Sequence, residues 1–156
     1  EPEIKLQGAA FFPESYINDT GLRYQAYRKL SYAGNGSPAE LEALAEELND
    51  RFGPLPVPAQ ALFSSIAIKQ RLRQLRIKRL EQGAQSLLFY FDESTPTDPA
   101  RVLRYVQQKN SSKNKGNLSR FTPENHLIIP FTDKDEVFSL INKVLSFLET
   151  GGEKTG

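Results

Sequence analysis

The sequence predicts an α+β domain: an N-terminal three-helix segment, then a β-β-α-β-β-α unit whose small antiparallel sheet is covered by helices. Three observations carry this reading. In the first half, apolar residues recur at helical spacing between capping signals. In the second half, two pairs of short apolar and aromatic runs are each broken by a brief turn, which favours antiparallel hairpins. Helical spacing returns after each pair. The length of 156 residues suits one domain. A chain of that size can bury roughly 68–70 % of its unfolded surface, so it needs neither disulfide nor metal to fold.

Each element has a local cause. Residues 1–19 lack regular periodicity, but Ala9, Ala10, Phe11, Phe12, Tyr16 and Ile17 predict an extended arm packed on the domain. Asn18, Asp19 and Thr20 supply cap-type side chains for a helix over about 20–33, with Leu22, Ala26 and Leu30 on one face and Tyr27 beside them. Ser37 caps a second helix, Pro38 suits its first position, and Glu40 completes a capping box. Leu41, Leu44, Ala45, Leu48 and Phe52 form its apolar stripe; Gly53 and Pro54 stop it. A third helix starts near Pro58, with Ala61, Ser65, Ile68, Leu72 and Leu75 on one side, widened by Leu62 and Ile66.

The hinge between the halves falls near 75–77. Residues 76–80 and 86–92 read as strands around a turn at 82–85. Asp98 and Pro99 start a helix to about 109, with Val102, Leu103 and Val106 inward, and 110–117 is a polar loop. Residues 117–121 and 126–131 make the second strand pair. Thr132 and Asp133 cap a last helix over 134–149, striped by Val137, Leu140, Ile141, Val144, Leu145 and Leu148. The expected organisation is an arm (1–19), a single α+β domain (20–149) and a flexible tail (150–156).

Composition narrows the function. There is no cysteine, so disulfides and thiolate metal sites are excluded, and His126 is the only histidine, which excludes a multi-histidine centre. No apolar run approaches the roughly 20 residues that span a bilayer, and no leader sequence is visible, so a cytoplasmic chain without membrane contact is expected. Residue 1 is Glu and methionine is absent, so a piece of a longer protein is expected. The phosphate-loop, dinucleotide-binding and G-x-S-x-G patterns are missing. Catalytic, cofactor-binding and metal residues are therefore expected to be none. His126 could serve a Ser or Asp in a small hydrolase, but no second motif supports catalysis, and a strand-end histidine with a satisfied hydrogen bond is expected. Helix-dipole and solubility effects account for Glu46-Glu47, Asp92-Glu93 and the run Asp133–Glu136.

Twenty basic and 19 acidic residues leave a net charge of +1, without the excess of a dedicated nucleic-acid binder. Locally, however, Lys69, Arg71, Arg73, Arg76, Lys78 and Arg79 cluster, and Arg104, Lys113, Lys115 and Arg120 add to them. On a continuous helix Lys69, Arg73 and Arg76 share a face. Lys69, Arg73, Arg76, Lys78 and Arg79 are thus a candidate interaction surface. The readings are a solvated helix face, a surface for an acidic protein partner, or an accessory nucleic-acid site over 69–79. The aromatic residues Phe89, Tyr90 and Phe91 follow closely, but alternate members of that run are expected in the core rather than in a stacking platform.

The most distinctive string is Asp50-Arg51-Phe52-Gly53-Pro54-Leu55-Pro56. It reads as a helix terminus: aromatic anchor, glycine cap, proline stop, with Arg51 suited to the negative helix end. Together with residues 12–17 (Phe-Pro-Glu-Ser-Tyr-Ile), 23–29 (Arg-Tyr-Gln-Ala-Tyr-Arg-Lys) and 47–56, it resembles the C-terminal domain of bacterial transcription-repair coupling factors. Pro13, Tyr16, Arg23, Tyr27, Asp50, Arg51, Phe52, Gly53 and Pro54 carry the motif. The resemblance covers about 6–149 and is specific over the first 60 residues. It implies a regulatory domain without catalytic residues or cofactors of its own that packs on a UvrB-like N-terminal module; the isolated chain is expected to be monomeric. The parent it implies is an ATP- and Mg-dependent double-stranded DNA translocase of the helicase superfamily. Such a parent displaces stalled RNA polymerase and recruits UvrA for DNA repair.

Overall fold

A computed structural model describes residues 2–93, 95, 99–110 and 118–150. The elements run β1 (Glu3–Lys5), α1 (Thr20–Gly34), α2 (Pro38–Phe52), α3 (Val57–Leu75), β2 (Ile77–Gln82), β3 (Ser86–Phe91), α4 (Pro99–Asn110), β4 (Arg120–Phe121), β5 (His126–Pro130), a 3-10 turn (Lys134–Glu136) and α5 (Val137–Thr150). The α+β class and the order of the helices follow the sequence reading. The chain divides into two compact units, one formed by Gly8–Gln70 and one by Glu1–Gln7 with Arg71–Gly156.

In the helical unit Asp19 caps α1, its carboxylate accepting from the Leu22 N–H at 2.9 Å, and Ser37 caps α2 through the Glu40 N–H. Ala26, Leu30 and Ala33 of α1 meet Leu41, Leu44 and Leu48 of α2, with Phe12, Ile17, Ala59 and Phe63 completing the core. The third helix follows the expected stripe only in its second half: Ile68 and Leu72 are buried as read, but in the first half Ala59 and Phe63 are buried, whereas Ala61 and Ser65 are only half-buried. The Phe63 ring lies 6.4 Å from Phe12, so an aromatic pair outside the aliphatic stripe sets the rotation. At Gly34 α1 closely approaches α3: a Cβ there would sit 2.8 Å from Ile66 Cγ2.

In the sheet unit the strand order is β1-β2-β3-β5-β4. Both expected hairpins form, and β3 joins them by pairing antiparallel with β5. Two differences from the sequence reading stand out. Glu3–Lys5, expected within an irregular arm, forms a parallel edge strand on β2, with Ile4 opposite Leu80. Three residues with no apolar alternation carry too little periodicity to be read as a strand. Second, β2 begins one residue later than expected, because Arg76 adopts φ 57 after the helix ends, and Lys78 is an extra residue between the pairs Ile77–Phe91 and Arg79–Tyr90. β3 alternates cleanly: Leu87, Phe89 and Phe91 are buried, while Leu88 and Tyr90 turn to the other face. α5 carries its stripe as read, with Val137, Ile141, Val144, Leu145 and Leu148 buried, though its first turn is 3-10. On α4, Val102 is buried but Leu103 is 49 % exposed. Tyr105 takes the inward place against Phe147, at 4.9 Å. The stripe there follows i and i+3 from Val102 and leaves Leu103 to one side. The second hairpin's first strand shortens to Arg120–Phe121. Asp98, most of the 110–117 loop and the end of the tail lie outside the described residues.

Candidate functional site

The motif residues meet where α1 and α2 receive the incoming chain. The Tyr16 hydroxyl reaches the carbonyl of Gly53 at 2.7 Å and that of Leu48 at 3.2 Å, and its ring packs on Phe52 at 5.9 Å. Burial raises its phenol pKa. Gly53 has φ 93 and ψ −177, a region that only glycine enters without strain, and its N–H closes α2 on Asn49 O. Arg23 donates to Ile17 O at 2.9 Å, and the Tyr27 hydroxyl accepts from the Phe12 N–H at 2.9 Å while its ring lies 4.8 Å from Phe12. Pro13 O accepts from both Tyr16 and Ile17. These residues form a knot that fixes residues 12–17 on the helix pair; their chemistry is spent on their own backbone.

The charged members of the motif behave differently. Glu47 is shared by Lys29 of α1, at 2.7 Å, and Arg51 one turn on, at 3.3 Å. The Lys29 ammonium, hydrogen-bonded to it, holds its carboxyl below the usual carboxylate range. The Arg51 guanidinium also lies 5.0 Å from the Phe52 ring. Asp50 and Arg51 are exposed. Alongside runs a groove of about 540 Å³ between α1 and α2, lined by Arg28, Lys29, Tyr32, Ala43, Leu44 and Glu47 among others. Tyr32 at its rim is 80 % exposed, and Tyr24, under the Arg28 guanidinium, 64 %. The motif string pointed to Glu47–Arg51; the exposed tyrosines at 24 and 32, two helical turns apart on α1, were legible by spacing alone.

The basic residues of 69–79 do not form one helical row, because α3 ends at Leu75 and Arg76 leaves it. Its carbonyl instead accepts from the Thr95 hydroxyl. Arg76 and Lys78 are exposed; Lys69 and Arg73 are half-buried and have partners of their own. Arg79 lies across the sheet, paired with Glu81 at 3.2 Å and Glu3 at 3.4 Å and stacked 5.5 Å from the Tyr90 ring. Arg71 is held by Glu149, Asn142 and Ser146. Tyr90 donates to Glu81 at 2.9 Å; that bond lowers the Glu81 pKa and raises that of Tyr90. The His126 ring rests 4.3 Å from Tyr90, and its backbone N–H bonds to Thr122 Oγ1. Among the described residues no group of three His, Asp or Glu could hold a metal ion, and no helix is long and apolar enough to cross a membrane.

The chain was compared with known proteins. The model of the TRCF domain family matches residues 6–102, which include the whole motif. The transcription-repair-coupling factor of Rickettsia prowazekii is 27 % identical over 147 residues, 92 % of this chain and 12 % of that protein. That of Escherichia coli is 29 % identical over 109 residues (70 % and 9 %), and that of Myxococcus xanthus 31 % over 128 residues (82 % and 10 %). The chain thus spans about a tenth of the length of these relatives. A crystal structure of the C-terminal domain of a transcription-repair coupling factor shares the fold, with a TM-score of 0.75, 23 % identity, and coverage of 97 % of this chain and 92 % of that one. With well over half its length matched by the family's model, the chain belongs to the TRCF domain family.

Proposed function

We propose that this chain is the non-catalytic C-terminal regulatory domain of a transcription-repair coupling factor, docking on a UvrB-like N-terminal module of the same protein to restrain it. The observation that carries the reading is the division of labour within the matched motif. Tyr16, Arg23, Tyr27 and Gly53 are committed to the domain's own backbone, while Asp50 and Arg51 stand exposed at the end of α2 beside the half-buried Glu47. Backbone anchoring explains the first group; the second has no such task, and its pairs Lys29–Glu47 and Arg51–Glu47 lie at the surface, where a partner's charges can exchange with them. Interfaces between domains of one chain are modest and polar, which suits a charged helix end. The parent on this reading is a cytoplasmic, ATP- and Mg-dependent double-stranded DNA translocase that displaces stalled RNA polymerase and recruits UvrA. A swing from mostly closed to mostly open needs about 5.5 kcal/mol of differential binding, within reach of such a surface helped by RNA polymerase.

The test adds this chain to the parent protein from which it has been deleted. Restored restraint, read as lowered ATPase activity and lowered UvrA binding, is expected. Unchanged activity and no association at millimolar concentration would refute the proposal. The nucleic-acid reading of 69–79 draws less support, since Arg71 and Arg79 are engaged by carboxylates within the unit.

A further inference from the structure

The helix pair of the α-helical unit is charge-segregated. α1 carries Arg23, Arg28 and Lys29 and no carboxylate, whereas α2 carries Glu40, Glu42, Glu46, Glu47 and Asp50 against Arg51 alone. The groove between them has an apolar floor at the buried Ala33 and Leu44, with the exposed Ala43 beside it, Arg28 and Lys29 on the α1 side and Glu40 and Glu47 on the α2 side. Tyr32, 80 % exposed, projects beside it. A surface with an apolar strip and opposite charges on its two edges is complementary to itself under a two-fold rotation.

We propose that this groove takes a second copy of the same surface, giving a weak symmetric dimer. The geometry selects one axis. A three-residue connection joins the helices, so they run antiparallel, and the Lys29–Glu47 pair marks residues at one level. A two-fold axis parallel to the helices lays α1 of each copy over α2 of the other, at matching levels. Arg28 and Lys29 then face the second copy's Glu47 and Asp50, twice over, joining the Lys29–Glu47 pair within each copy into one network. A two-fold axis across the helices would set α1 on α1 and oppose like charges. The parallel axis also brings each Tyr32 over the other copy's Ala43 and Leu44 and removes its ring from water. This inference rests on the charge pattern and not on the regulatory reading, and it departs from the monomer expected from the sequence. The two meet at Glu47, so a dimer would compete with docking.

Sedimentation equilibrium of the chain alone tests it, with no other protein present. A concentration-dependent dimer is expected, weakened about tenfold or more by Arg28→Glu and equally by Glu47→Lys. An equimolar mixture of the two variants should regain dimer, because each α1–α2 contact in the mixed pair again joins opposite charges. A monomer at every concentration up to about 1 mM, or a mixture no more associated than its parts, overturns the proposal. Should either charge variant lose its helical circular dichroism, Tyr32→Ser decides. Its side chain is too exposed to affect folding, and it should weaken the dimer; unchanged association would count against the groove.

Discussion

Tyr16 shows how a single side chain can serve the fold at two places at once. Its hydroxyl satisfies two carbonyls at the end of α2, at Leu48 and Gly53, and its ring braces Phe52. Tyr16→Phe should keep the ring contact and lose the bonds, costing about 1–2 kcal/mol in denaturant unfolding. Gly53→Ala tests the same corner from the backbone. No atom lies within 4 Å of the added Cβ, so its cost of about 1–3 kcal/mol would be conformational strain alone. In the sheet unit, burial pushes the Tyr105 phenol up to about 12 from its ordinary 10.0. An unfolded tyrosine ionises near pH 10, the folded one near 12, so the folded chain holds the extra proton between them. Tyr105 therefore adds stability in full below pH 10 and loses it as pH rises through 12. Unfolding midpoints across that range should fall for the native chain, and fall less for Tyr105→Phe.

The elements show where local chemistry was enough to read the structure and where it was not. The caps at Asp19 and Ser37 and the stop at Gly53-Pro54 act within a few residues, so spacing revealed them. β1 depends on a partner more than seventy residues away, and nothing local distinguishes Glu3–Lys5 from a tail. Gln70 was equally hidden. It is 4 % exposed in the C-terminal half of α3, and the two hydrogens of its amide are shared among the carbonyls of Ala33, Gly36 and Ser37, at 3.1–3.3 Å, where α1 ends and the chain turns into α2. By sequence it is one polar residue among many in a basic helix. Gln70→Leu should cost about 1–2 kcal/mol, measured by urea unfolding, because Gly36 O loses its amide donor while Ala33 O and Ser37 O keep backbone donors. The candidate surface was half legible: the string 47–56 singled out the α2 end, but the row through Lys69, Arg73 and Arg76 assumed a helix that stops at Leu75.

At the scale of the molecule, both units bury apolar cores, and the described surface includes ion pairs, exposed tyrosines and the α1–α2 groove. That inventory suits a recognition module. It also explains why composition was informative about class but not about place: a net charge of +1 conceals a basic α1 beside an acidic α2. The most direct test of the account is isothermal titration of this chain into the UvrB-like N-terminal module of its own parent, produced separately. Saturable one-to-one binding is predicted, weakened at least about tenfold by Asp50→Lys with Arg51→Glu while the fold persists. Absence of binding, or binding indifferent to both substitutions, would contradict it.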